Sequence, residues 1–147
     1  MDKHEIFAKS TIDDCRIIEL MRNTHRNGAL SVIENNEDIP FTTKRVYYLY
    51  DIPGDAERRG HAHCDNQSLI IAVSGCFTVT LNDGKATKSF ILNRPYKALY
   101  VPAGLWREIN EFSSGSVCLV LTSEIYSEDD YVRDYDEFLH LTEAKRK

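Results

Sequence analysis

His61 and His63 stand two residues apart in Arg58-Arg59-Gly60-His61-Ala62-His63, at the start of an apolar run. On an extended strand, residues i and i+2 point to the same side, so the two imidazoles are expected to enter one cavity. An imidazole, with a reference pKa of about 6.5, does one of two things there: it ligates a metal, or it takes and returns a proton near neutral pH. The stretch from Phe41 to Asp51 adds a second set. Its residues alternate, so Arg45 and Tyr47 share one face while Lys44, Val46 and Tyr48 share the other. With the Tyr47 face inward, Arg45, Tyr47, His61 and His63 meet in one pocket.

Metal chemistry can be tested against the motifs of cupin barrels, which the histidine pair resembles. The first such motif runs His-x-His, then Glu, then Gly. Here His61, His63 and Gly75 keep the spacing, but the Glu position falls on Ser68, beside Gln67. The second, Pro-x-Gly-x-x-His, reads Pro102-Ala103-Gly104-Leu105-Trp106-Arg107, with arginine where the histidine belongs. A guanidinium stays protonated, has no lone pair for a metal, and repels a divalent cation. Two histidines fall short of the usual three or four N/O ligands. Proton transfer without metal or cofactor is the expectation. The chain also carries no GxGxxG or P-loop pattern, so neither a dinucleotide cofactor nor phosphoryl transfer is expected.

Strands must hold these residues, and most of the chain reads as short strands between turn signals. Cys15 to Arg22 and Ala29 to Ile33 flank Asn27-Gly28, a two-residue hairpin turn. Leu69 to Val73, the alternating Phe77 to Leu81, and Ser89 to Leu92 follow, with Asn82-Asp83-Gly84 turning the chain between the last two. Ala98 to Val101, Trp106 to Phe112 and Val117 to Thr122 complete a run of about ten strands. The tail differs: Ser127 with Glu128, Asp129 and Asp130 reads as an N-cap with acids in the first turn. Val132, Tyr135, Phe138 and Leu139 then recur at helical spacing, as a core stripe packing on the barrel exterior. The fold expected is all-β, a cupin or jelly-roll β-barrel with a short C-terminal α-helix, as one domain over residues 1–147.

A net charge of −5 argues against a nucleic-acid partner, which needs a basic face. No apolar stretch is long enough to cross a bilayer. The start, Met1-Asp2-Lys3-His4-Glu5, lacks the apolar core of a secretion signal, so a cytoplasmic protein is expected. Cys15, Cys64, Cys76 and Cys118 form no Cys-x-x-Cys pair and read as reduced thiols. Cys64, next to His63, is the one candidate nucleophile, yet alternation turns it away from both histidines.

Four separated motifs then carry a wider resemblance: Lys44-Arg45-Val46-Tyr47-Tyr48, Arg58-x-x-His61-Ala62-His63, Val101-Pro102 through Trp106, and Tyr131-Val132-Arg133-x-Tyr135-x-x-Phe138. Together they resemble the cupin-fold TDP-4-keto-6-deoxyglucose 3,4-ketoisomerases from about Gly28 to Phe138. The resemblance implies an isomerase yielding a TDP-3-keto-6-deoxyhexose, the precursor of 3-amino-3,6-dideoxy sugars in bacterial surface glycans. It implies a metal-free homodimer, commonly with an exchanged N-terminal strand, which the hairpin near Asn27-Gly28 would supply. It casts His61 as the base, His63 as its assistant, and Tyr47 as the active-site tyrosine. Arg107 is suited to stabilise the enediolate. Its identity implies the gluco configuration at C4, because family members carry His or Arg there with opposite outcomes. Arg45, Arg58 and Arg59 are the cations expected on the pyrophosphate, since guanidinium forks match phosphate oxygens. Ser68, where the family often has Gln, and Trp106 are expected at the substrate. Two alternatives stay open: a TDP-sugar 3,5-epimerase-like enzyme, and a non-catalytic sugar-nucleotide-binding cupin.

Overall fold

The computed structural model describes residues 2–53 and 58–146, and the side chains of the same residues except 58, 59 and 144–146. Two five-stranded antiparallel sheets face each other. The first contains β1 (Arg16–Glu19), β4 (Arg45–Leu49), β6 (Ser68–Ser74), β9 (Lys97–Val101) and β11 (Val117–Thr122), in the order β1-β9-β6-β11-β4. The second contains β5 (Arg58–His63), β7 (Phe77–Asn82), β8 (Thr87–Leu92), β10 (Trp106–Asn110) and β12 (Tyr131–Val132), in the order β12-β5-β10-β7-β8. This is the jelly-roll barrel that the strand pattern together with the resemblance to cupin motifs led one to expect.

Three apolar layers hold it. Ile70, Leu99 and Val120 of the first sheet meet Val79, Leu81 and Ile109 of the second in the barrel interior. Leu20, Ile39 and Phe41 cover the outer face of the first sheet, over Leu69, Ile71 and Leu121. Residues Ser68 to Ala72 are therefore buried on both faces, which is why the sequence there is a continuous apolar run and not an alternation. On the outer face of the second sheet, Ala62, Trp106 and Val132 are capped by Phe7, Phe138 and Leu141. A short helix α1 (Lys3–Ile6) opens the chain, and Phe138 and Leu141 belong to helix α2 (Tyr135–Arg146), whose place on the barrel exterior agrees with the sequence.

Local expectations moved in three places. The predicted hairpin turns one residue early, through Arg26-Asn27 between β2 (Arg22–His25) and β3 (Gly28–Ser31). Gly28 begins the return strand at φ +134°, which only glycine adopts without strain. The predicted strand from Phe41 shortens to β4. The predicted helix start at Ser127 is a single 3-10 turn over Glu128–Asp130, with no side-chain cap bond. Tyr131 and Val132 then pair with His63 and Ala62 as β12. Helix α2 begins later, with the Asp134 carboxylate accepting from the Asp136 N–H at 3.1 Å. Sheet pairing overrode a local cap signal. Among the described residues no helix is long and apolar enough to cross a membrane.

Gly60 explains how β5 fits under this cover. A Cβ at that position would lie 2.6 Å from Cε2 of Trp106 and would also overlap the indole nitrogen. Gly60→Ala is expected to lower stability by about 1–3 kcal/mol through overpacking, read by urea denaturation. An unchanged midpoint would mean that the indole moves aside at no cost.

Candidate active site

Strand alternation and sheet register build the site. On β4, Arg45, Tyr47 and Leu49 turn inward and are half-buried, while Val46, Tyr48 and Tyr50 are exposed. On β5, Ala62 faces the outer layer, so His61 and His63 face inward. On β10, Trp106 joins the outer layer, which turns Arg107 and Ile109 inward. Arg107 is the direct cross-strand partner of His61, and Tyr47 that of Val120. A cavity of about 500 Å³ opens between the sheets, lined by Arg45, Tyr47, His61, Arg107, Tyr131 and Arg133, with Tyr126 at its side.

Arg107 is the most constrained member. It is 2% exposed, and one Nη1–H donates to Ser68 Oγ at 2.9 Å. Its Nε and Nη2 are buried and have no hydrogen-bond partner among the described residues, as is the case for Arg45 Nε. Buried donors without acceptors cost free energy until something supplies an oxygen. Burial lowers the Arg107 pKa from its ordinary value, against the raising influence of Tyr47, Tyr131 and Asp130. With three arginines on its walls, the cavity is built for an anionic, oxygen-rich ligand.

Tyr47 sits under Arg45, whose Cζ lies 4.9 Å from the ring centroid. Burial, more than any charge, pushes its phenol above the ordinary value, so it is a neutral hydroxyl at pH 7. The two histidine rings are perpendicular with centroids 5.0 Å apart, and Tyr131 lies 5.2 Å from His61 and 4.4 Å from His63.

The histidines are not equivalent. The expectation that both open directly into the cavity needs correction: His61 lines it, whereas His63 is only 2% exposed and stands behind His61 and Tyr131. Nδ1 of His63 lies 3.1 Å from Oδ2 of Asp130. Distance alone suggests an ion pair, but desolvation outweighs the raising effect of the Asp130 bond and, with a smaller push from Arg107, drives the His63 pKa down to about 4. At pH 7 the contact is a neutral Nδ1–H donating to a carboxylate. The lowered pKa means that stability is full above the unfolded-state value of about 6.5 and falls as pH drops toward 4. Between pH 7 and pH 5 the protein is expected to lose about 2 kcal/mol more than a His63→Gln variant does. Parallel urea titrations at the two pH values would read this, and equal losses would refute it.

Other expected site residues part company. Ser68 is fully buried and anchors Arg107, also receiving Asn66 Nδ2 at 3.4 Å. It faces the barrel interior and positions a guanidinium, but is not itself among the residues that line the cavity. Trp106 points the opposite way, packed edge-on to Tyr135 and against Phe138, because adjacent residues of one strand face opposite sides and Arg107 takes the inward place. The backbones of Arg58 and Arg59 run in β5, but their side chains lie outside the described residues. Cys64 is fully buried under the outer layer, where burial pushes its thiol up to about 11, so it is no nucleophile. Among the described residues, no group of three or more His, Cys, Asp or Glu converges as a metal requires.

Four participants escaped the sequence reading: Tyr126, Asp130, Tyr131 and Arg133. Arg133 stacks on Tyr131 at 4.1 Å and is held by a two-point bond to Glu128, at 2.6 and 3.0 Å. Tyr126 donates to the same carboxylate at 2.6 Å. Reading residues 127–139 as one exterior helix hid Asp130, Tyr131 and Arg133. The usable signal was the period-two pattern Tyr131, Val132, Arg133, in which only the middle residue is apolar and buried.

Comparison with known proteins places this arrangement. The FdtA family model, described as WxcM-like, C-terminal, matches residues 13–143. The chain is 38% identical over 123 residues to a TDP-4-oxo-6-deoxy-alpha-D-glucose-3,4-oxoisomerase from Aneurinibacillus thermoaerophilus, covering 84% of this chain and 88% of that protein. It is also similar to the WlaRB TDP-quinovose 3,4-ketoisomerase from Campylobacter jejuni, with 41% identity, 88% and 99% coverage of the two chains, and a TM-score of 0.85. A mutant of the QdtA 3,4-ketoisomerase from Thermoanaerobacterium thermosaccharolyticum, carrying asparagine for histidine and bound to TDP-4-keto-6-deoxyglucose, matches with 34% identity, 93% and 98% coverage, and a TM-score of 0.87.

Proposed function

The chain belongs to the FdtA family (WxcM-like, C-terminal), and on that premise we propose that it isomerises dTDP-4-keto-6-deoxy-D-glucose to a dTDP-3-keto-6-deoxyhexose. The single observation that carries this reading is the cross-strand pair of His61 and Arg107 on one cavity wall. One is a proton carrier, and the other is a cation with unused donors.

His61 takes the C3 proton, and the electron pair moves into a C3–C4 double bond as the C4 carbonyl becomes an enediolate oxygen. Arg107 offers its Nη2 and Nε donors to that charge, which forms only as the bond breaks. The proton on O3 leaves and one arrives on O4, with the neutral Tyr47 hydroxyl suited to carry it. His61 then delivers a proton to C4, leaving the ketone at C3. Arg45 and Arg133 are suited to the pyrophosphate, and Tyr126 or Tyr131 offers an aromatic face to thymine. Arg107 supports the gluco product at C4. The 3-keto product then suits an aminotransferase that makes 3-amino-3,6-dideoxy sugars for surface glycans such as lipopolysaccharide O-antigen.

A working homodimer in the cytoplasm completes the proposal. In its favour, every residue of β2 and β3 is exposed, and this hairpin pairs with no other strand among the described residues. The edge strand β4 leaves Val46 and Tyr48 in solvent.

Incubation with TDP-4-keto-6-deoxyglucose in D2O, followed by NMR, tests the reaction. A new C3 ketone and deuterium at C4 are expected, and the same reaction run in H2O should show the product with a large H4–H5 coupling. Label at C3 and C5 with no ketone migration would instead mark a 3,5-epimerase. Unchanged substrate with folded protein would overturn catalysis and leave a binding protein.

A further inference from the structure

His63 has no access to the cavity, so its service to the reaction must pass through its neighbours. One side of its ring is fixed by Asp130. That carboxylate is itself pinned, because Oδ1 accepts the Asp65 N–H at 2.8 Å and Oδ2 accepts the Asn66 N–H at 3.2 Å. With two backbone donors satisfied by the same group, Asp130 stays an acceptor toward His63, and Nδ1 of the ring must be the protonated nitrogen. Nε2 on the far side then carries a bare lone pair. Two cavity-lining rings stand against His63, Tyr131 at 4.4 Å and His61, perpendicular to it, at 5.0 Å centroid to centroid, and the His61 spacing is one that a single N–H···N bond between imidazoles spans.

We propose that Asp130 is a positioning residue for the isomerisation: it orders His63 into its Nδ1–H tautomer, His63 in turn accepts the N–H of His61, and His61 is left with its lone pair toward the C3 proton. The inference rests on the isomerase reading and deepens it. Asp130 also faces outward, lining a second cleft with Asp65, Glu124 and Asp129. The dyad therefore runs from solvent to the wall of the cavity without touching substrate.

Asp130→Asn reverses the polarity of the chain. The amide Nδ2–H donates to Nδ1 of His63, Nε2 becomes the protonated nitrogen, and His61 can no longer present a bare nitrogen to the sugar. A fall in kcat of about 10²-fold with KM nearly unchanged is expected, in keeping with losses when the group orienting a functional histidine is changed. Asp130→Glu, which keeps an acceptor, should recover part of kcat. The direct readout is 15N NMR of histidine-labelled protein at pH 7. Wild type should show His63 protonated at Nδ1 only, and Asp130→Asn should invert this. A purely structural role at the Asp65-Asn66 turn would lower stability and leave the tautomer alone. A folded Asp130→Asn protein with unchanged kcat would overturn the proposal. If that variant does not fold, wild-type His63 decides it: protonation at Nε2, or at both nitrogens, overturns it. Correct tautomers in a protein without turnover would instead count against the isomerase reading alone.

Discussion

His61→Asn is expected to lower kcat by about 10³–10⁴-fold, the upper range for a general acid–base group, while binding of TDP-4-keto-6-deoxyglucose changes only a few-fold. Asparagine has a similar reach and polarity but no proton affinity in the working range. It therefore leaves the contacts of Arg45, Tyr47 and Arg133 in place and removes only the group that moves protons between C3 and C4. His61 also meets the Tyr131 ring at 5.2 Å, so some repacking is expected and a modest loss of affinity is tolerable. Turnover in single-turnover NMR assays and calorimetric binding must be measured on the same preparation. Retention of a tenth or more of wild-type turnover would remove His61 from the centre of the mechanism. Equal loss of binding and turnover would make it a binding residue.

Arg107→Met is expected to move activity and stability in opposite directions. Removing one well-aimed donor to a developing oxyanion costs about 10²–10³-fold in kcat in other enzymes, and a similar loss is predicted here. Stability should rise by about 1–3 kcal/mol, because replacing a buried charge that has no carboxylate partner by an apolar side chain of similar length removes a desolvation penalty. Arg107 is buried, its pKa is lowered by burial, and only one of its nitrogens has a hydrogen-bond partner among the described residues. Ser68 loses a donor in the variant but keeps Asn66 Nδ2. Urea denaturation and kcat on one sample read both effects. A less stable Arg107→Met would mean that the bond to Ser68 outweighs desolvation, and unimpaired kcat would dismiss the enediolate role.

Legibility in the sequence followed the range of the interaction. The alternation of β4 and β5 is a property of the extended backbone, so the shared faces of Arg45 with Tyr47 and of His61 with His63 were readable without coordinates. The same rule, applied one residue further, would have turned Trp106 away once Arg107 was taken as inward. The tail failed for a different reason. Ser127 followed by three acids has the local look of a helix start, yet Tyr131 and Val132 gain more by pairing with β5. No property of residues 127–133 taken alone reveals that partner.

From the sequence alone came the barrel, the imidazole pair on one strand face, and the arginine standing where a ligand histidine would be. Each is set by residue type and spacing along a short segment, which backbone geometry converts directly into a face. Tertiary structure decided which imidazole reaches the cavity, that Ser68 holds Arg107, and that Asp130 holds His63 from 67 residues away. Those outcomes depend on cross-strand register and on what covers each sheet, and both are fixed by burial summed over the whole barrel, not by any segment's own preference.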